Sequence, residues 1–177
     1  MYADNTLTPK EATRLCALGM LADGPMAYAE LAAGVRHFVT HVMGPSLDVL
    51  GTSVELLKHE GLVKALSGEK DKAILQITPD GLTELKTLLT ARIKTAENDL
   101  NKLVIALKFR FMDFLEADER ILQLDLLADA VENELARLED LRAHHVDDSV
   151  HLTEWLDREI EDLERRIEWL KAKRERV

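Results

Sequence analysis

The sequence is poor in the features that would staple a chain covalently or carry it through a bilayer. One residue in 177 is cysteine, Cys16, so no disulfide can close within the chain and a reducing compartment is expected. No uncharged apolar run approaches the ~20 residues of a spanning helix, and no basic segment precedes an apolar one. Neither a membrane span nor a signal peptide is expected, and the expected location is the cytoplasm. Aromatic residues make up only 5%, while Leu, Ala, Glu and Arg are abundant, a balance that favours helix. From Arg92 onward there is no glycine and no proline, so nothing local interrupts helix there. A glycine-rich phosphate loop and a nucleophile elbow are both missing, as is a paired carboxylate with a cleft to hold it. No enzymatic activity and no cofactor are expected.

What is present is acidic and strongly periodic. The net charge is −10, unevenly spread: residues 1–92 carry 9 Lys and Arg against 11 Asp and Glu, and residues 93–177 carry 14 against 22. The first part is therefore close to neutral, without the basic footprint usual in a nucleic-acid binder.

The pattern over Pro45–Val63 organises the rest. Leu47, Leu50, Val54 and Leu57 recur at helical spacing, Ser46 or Asp48 can cap the start, and Gly61 supplies the left-handed exit. Residues 62–66 and 73–77 are short apolar runs joined by the polar, glycine-containing segment 67–72, which predicts a hairpin. A short surface helix followed by a hairpin is the layout of a winged helix-turn-helix. Upstream, Thr8-Pro9-Lys10-Glu11 reads as a capping box with proline at the first helical position. It opens an apolar helix that ends near Asp23-Gly24-Pro25, and a second helix is expected over 26–38. Downstream, Thr78-Pro79 caps another helix. Long helices are expected over 99–115, 117–144 and 149–174. The last two carry near-heptad stripes and are joined by a polar turn, which predicts an antiparallel helical hairpin.

Ala17-Leu18-Gly19-Met20-Leu21-Ala22-Asp23-Gly24-Pro25-Met26, followed by Tyr28-x-Glu30-Leu31, resembles the first two helices of PadR-family transcriptional regulators. Leu50 to Val63 resembles that family's recognition helix and entry to the wing, and Ile77-Thr78-x-x-Gly81-x-x-x-Leu85 its exit. The match covers roughly residues 12–90. It departs from the family at Gly51, where a tyrosine is usual, and at Lys58, where an acidic residue is usual. The fold expected is mainly α: a winged-helix DNA-binding domain over 1–92 with a two-stranded β wing, and a C-terminal long helical hairpin over 93–177 for dimerisation.

The resemblance implies a transcriptional regulator, a repressor, that binds double-stranded palindromic operator DNA as a homodimer. The DNA-contacting candidates are Ser46, Thr52, Ser53, Lys58 and His59 on the reading helix. Arg36, His37 and His41 stand before it, and Lys64, Lys70 and Lys72 on the wing. Their donors suit phosphates and base edges. Asp48 and Glu55 favour the alternative, a winged-helix protein–protein interaction module without DNA binding. Phe109, Phe111, Met112 and Phe114 read either as ordinary apolar core or, as relatives in the resembled family imply, as a pocket for a small aromatic effector. Leu152, Trp155, Leu156, Ile160, Leu163, Ile167 and Leu170 form the stripe expected at the dimer interface. His37 with His41, and His144, His145, Asp147, Asp148 and His151, lack closed zinc spacing, and no metal is expected. Cys16 lies among apolar residues and is expected to be an inert core thiol.

Overall fold

The computed structural model describes residues 6–43, 53–93, 99–144 and 149–177, and the chain divides into two compact units, one ending at Leu115 and one beginning at Glu116. In the first unit α1 spans Pro9–Asp23. The capping box forms as the sequence predicts. The Thr8 hydroxyl accepts from the Glu11 amide at 3.3 Å, and the Glu11 carboxylate accepts from the Thr8 amide at 2.7 Å. The Thr8 hydroxyl also donates to the Glu11 carboxylate at 2.7 Å, and this bond, with that from the Thr8 amide, favours the charged form and holds the Glu11 carboxyl below its usual pKa. The helix is buried on most of its circumference because it is the centre of the unit, with α2, α3, α4, α5 and a strand all packed on it. Cys16 is fully buried in this core, and loss of hydration pushes its thiol up to about 12.

β1 (Met26–Ala27) leads into α2 (Tyr28–Met43). Residues 26 and 27 depart from the expected helix because Met26 pairs with Leu75 and Ala27 with Ile74. The sheet therefore has three antiparallel strands in the order β1-β3-β2, where β2 is Val63–Ser67 and β3 is Ile74–Ile77. Val63 sits opposite Ile77 and Ala65 opposite Leu75, with an irregularity between Ala65 and Ser67. The loop between β2 and β3 turns at Gly68 (φ +76°), where an added Cβ would lie 2.5 Å from the Lys72 carbonyl oxygen. It then forms one 3₁₀ turn at Lys70–Lys72, packed beside α2.

α4 spans Pro79–Leu89, and the Thr78 hydroxyl accepts from the Gly81 amide at 3.1 Å. α5 spans Asp99–Arg110 and gives way to a 3₁₀ turn at Met112–Phe114 instead of running on to Leu115. Composition groups α5 with the helical half, but it packs on α1 and α2 within the first unit. Phe111 is 1% exposed and lies directly over Gly19, where an added Cβ would come within 2.4 Å of the ring. The Arg110 guanidinium sits 4.6 Å from the Phe38 ring centroid. The buried Lys108 amine donates to the Leu89 carbonyl at the end of α4, and burial draws its pKa down to about 8.

The second unit is the expected hairpin of α6 (Ala117–His144) and α7 (Val150–Arg174), which pack along each other. Leu124 and Leu127 of α6 and Leu156, Leu163, Ile167 and Leu170 of α7 are buried. Cross-helix ion pairs join Arg142 to Asp157 (2.7 Å), Lys171 to Glu132 (2.9 Å) and Arg174 to Asp125 (2.5 Å), an antiparallel register. Among the described residues no helix is long and apolar enough to cross a membrane.

Candidate nucleic-acid interface

The described part of the reading helix is α3, Ser53–His59. It is anchored by two side chains: Val54 is 3% exposed and Leu57 is fully buried. Glu55, Leu56 and His59 are exposed and Lys58 is half-buried. Lys58 stands 3.6 Å from Glu55, so part of that carboxylate's charge is offset on the same face.

The end of α3 is locked. Gly61 adopts φ +75°, its amide donates to the Lys58 carbonyl at 3.1 Å, and the Leu62 amide donates to the Leu57 carbonyl at 3.0 Å. This pair of bonds is a Schellman ending, which removes two orphan carbonyls and redirects the chain into β2. Three further restraints meet there. The Thr78 hydroxyl donates to the Gly61 carbonyl at 2.8 Å, and the Thr78 amide donates to the Leu62 carbonyl at 3.0 Å. Gly81, at the start of α4, lies so close that an added Cβ would be 2.2 Å from the Leu62 oxygen. Arg14 on α1 then forks to Glu60 at 2.9 Å and to Glu84 on α4 at 3.2 Å. No local signal marks Arg14, whose partners lie 46 and 70 residues away. Leu56 is legible from periodicity: at about 100° per residue it lies one step from Leu57 and two steps from Val54, turned away from both.

The other candidates surround this helix unevenly. Lys64, Lys70 and Lys72 are all exposed on the sheet edge and its loop, as is Glu69 between them. Arg36, His37 and His41 are exposed on one side of α2. The His37 and His41 rings lie 4.0 Å apart between centroids, and His41 Nδ1 is 2.7 Å from the His37 carbonyl. Ser46, Asp48, Gly51 and Thr52 lie outside the described residues, and Ser53 is the first residue of α3. Among the described residues no group of three or more His, Cys, Asp and Glu is placed to hold a metal ion. His145, Asp147 and Asp148 also lie outside the described residues. The surface can donate hydrogen bonds and positive charge from α2, α3 and β2, with Glu55 and Glu69 interspersed.

The remaining candidates are placed as follows. Phe111 and Met112 are buried, while Phe109 and Phe114 are half-buried. On α7, Leu156, Leu163, Ile167 and Leu170 are buried within the single chain, and Leu152 and Ile160 are half-buried. Trp155 and Trp169 remain 52% and 51% exposed.

None of the curated proteins matches the chain. Among solved structures, the crystal structure of Bacillus subtilis PadR in complex with operator DNA is similar at 16% identity and a TM-score of 0.37, covering 90% of this chain and 95% of that one. A family model described as "Putative AphA-like transcriptional regulator" matches residues 2–173. With nearly the whole chain inside that match, the protein belongs to the AphA-like family of transcriptional regulators.

Proposed function

We propose that the protein binds double-stranded operator DNA as a homodimer and represses transcription. α3 enters the major groove, while Lys64, Lys70 and Lys72 hold adjacent phosphates. The observation that carries this reading is the rigid exit of α3, where a Schellman turn, Thr78, Gly81 and the Arg14 fork converge on one short exposed helix. A reading helix must hold its angle to be specific, because phosphate contacts position a protein while base contacts select the sequence. Two copies would place two such helices on a palindromic site. Trp155 and Trp169 stand two heptads apart on one side of α7 and supply apolar surface for the second copy. A small aromatic effector would act by biasing the angle between the two reading helices.

The test is fluorescence-anisotropy binding to the chain's own upstream DNA against a scrambled duplex, at two salt concentrations. Preferential binding that weakens steeply with salt is expected. Lys70→Ala with Lys72→Ala should lower the slope of log affinity against log salt by about 1.8, two phosphate contacts' worth. No binding at low salt from a folded protein would favour the second reading, a protein–protein interaction module. Exposed Glu55 on α3 and the near-neutral first part of the chain favour that alternative.

A further inference from the structure

We propose that Leu56 reads the C5-methyl group of a thymine in the operator, an inference that rests on the DNA-binding reading of α3. Leu56 is 46% exposed on a helix whose other large apolar side chains, Val54 and Leu57, are buried at 3% and 0%. It therefore contributes little to the core. It points out beside His59, one helical step short of a turn further on, and next to Glu55. Both neighbours are polar and can exchange hydrogen bonds with base edges; Leu56 cannot. The major groove offers donors, acceptors and a single apolar feature, the thymine methyl. An apolar side chain on the reading face thus has one favourable partner there, and against a cytosine amino group it would strip water without replacing the hydrogen bond.

Position matters as much as chemistry. Other exposed leucines, Leu66 at 50% and Leu82 at 44%, lie on β2 and α4, and scattered single leucines are ordinary on a surface. Leu56 differs because α3 is clamped at its C-terminal end. The Leu56 carbonyl accepts from the Glu60 amide at 2.9 Å, and Glu60 is held in turn by Arg14. The side chain is therefore presented at a fixed height relative to the wing. A methyl-sized contact needs that constancy, since a gap of roughly 0.5–1 Å already forfeits a quarter to a half of its dispersion energy.

Uracil differs from thymine only by the missing methyl and keeps the same hydrogen-bonding edge. The experiment replaces each thymine of the bound upstream duplex by uracil, one at a time, and titrates wild-type protein and Leu56→Ala by anisotropy. For wild type, replacement at one position in each half-site should weaken binding about fourfold, the effect of one buried methyl-sized group. Leu56→Ala should bind the thymine duplex weaker by a similar factor or more, and should no longer distinguish thymine from uracil at that position. Circular dichroism melting of Leu56→Ala should match wild type, because the side chain is not core. Equal binding of thymine and uracil duplexes by wild type at every position would overturn the assignment while leaving DNA binding intact. Retained discrimination by Leu56→Ala would also overturn it. Failure of wild type to bind any upstream duplex at low salt would remove the DNA-binding reading, and this inference with it.

Discussion

The two units solve the burial problem differently. The first closes α2, α3, α4, α5 and β3 around one central helix, so that Leu15, Leu18, Leu57, Leu75 and Leu107 have no exposed surface at all. Among its described residues the second has two helices, and two helices share a single seam. Trp155 and Trp169 are left half in water, and the seam is flanked by ion pairs. The difference shows why length alone does not make a unit self-sufficient. α6 and α7 run for 28 and 25 residues, longer than any described helix of the first unit, yet each has a single neighbour in its unit. Surface ion pairs add little in water, since side-chain ordering and screening offset most of their attraction. The hairpin is where a second copy would gain most.

The largest effect should come from emptying the two cores in parallel. Leu18→Ala should cost about 4 kcal/mol, in the upper part of the range for a fully enclosed leucine, and Leu163→Ala about 2 kcal/mol, because a seam can partly collapse. Urea unfolding monitored separately for each unit would measure both. An equal or larger cost at Leu163 would mean the seam is as tightly enclosed as the α1 core, and the contrast would fail.

The next largest effect sharpens the comparison through pH. Lys108, 2% exposed, has its pKa drawn down by burial to about 8, whereas an unfolded lysine titrates near 10.5. Above pH 8 the folded form sheds a proton that the unfolded chain still holds. Unfolding then takes up a proton, so stability rises with pH and levels off near 10.5. A gain of about 3 kcal/mol is the upper bound. Lys108→Met should flatten that rise, as followed by denaturant midpoints from pH 7 to 10.5. A rise that persists in Lys108→Met would assign it to another group.

Two glycines of the first unit separate rigid from yielding neighbours. At Gly19 a Cβ would press within 2.4 Å of the Phe111 ring, while at Gly34 it would meet the flexible end of Met20, also at 2.4 Å. Gly19→Ala should cost about 2 kcal/mol, because a buried ring must move. Gly34→Ala should be near neutral, since a gain of about 1 kcal/mol in helix propensity offsets displacement of the methionine methyl. Thermal melts of the two variants would show whether Phe111 is as fixed as its burial indicates. The smallest effect belongs to the second unit. Arg174→Ala removes an exposed partner of Asp125 and should leave the melting midpoint unchanged at physiological salt. A clear drop would show that the ion pairs carry more of the hairpin than their exposure suggests.

Much of the local structure was legible because it depends on residues within a turn of one another. Thr8-Pro9 and Thr78-Pro79 open helices where the sequence places them, and Gly61 takes the left-handed turn that ends α3. The stripes of α6 and α7 mark a hairpin because near-heptad spacing aligns one face over many turns. The family resemblance also rested on local motifs.

The candidate interface was legible only as an inventory. Lys64, Lys70, Lys72, Arg36, His37 and His41 are exposed as their polarity suggests, but polarity says nothing about how firmly α3 is held.

The sequence by itself determined the caps, the turns and the periodic faces, since hydrogen bonds across three or four residues and side chains repeating every turn are written in neighbouring positions. Only the tertiary structure decided what lay far apart. It drew Met26 and Ala27 into the sheet against Leu75 and Ile74, and placed Phe111 on Gly19 so that α5 joined the first unit. It also linked Arg14 to Glu60 and Glu84, and left Leu56 in water above Val54 and Leu57. Each of these outcomes depends on which distant surfaces meet, and that is set by how the whole apolar surface is best covered rather than by any short run of residues.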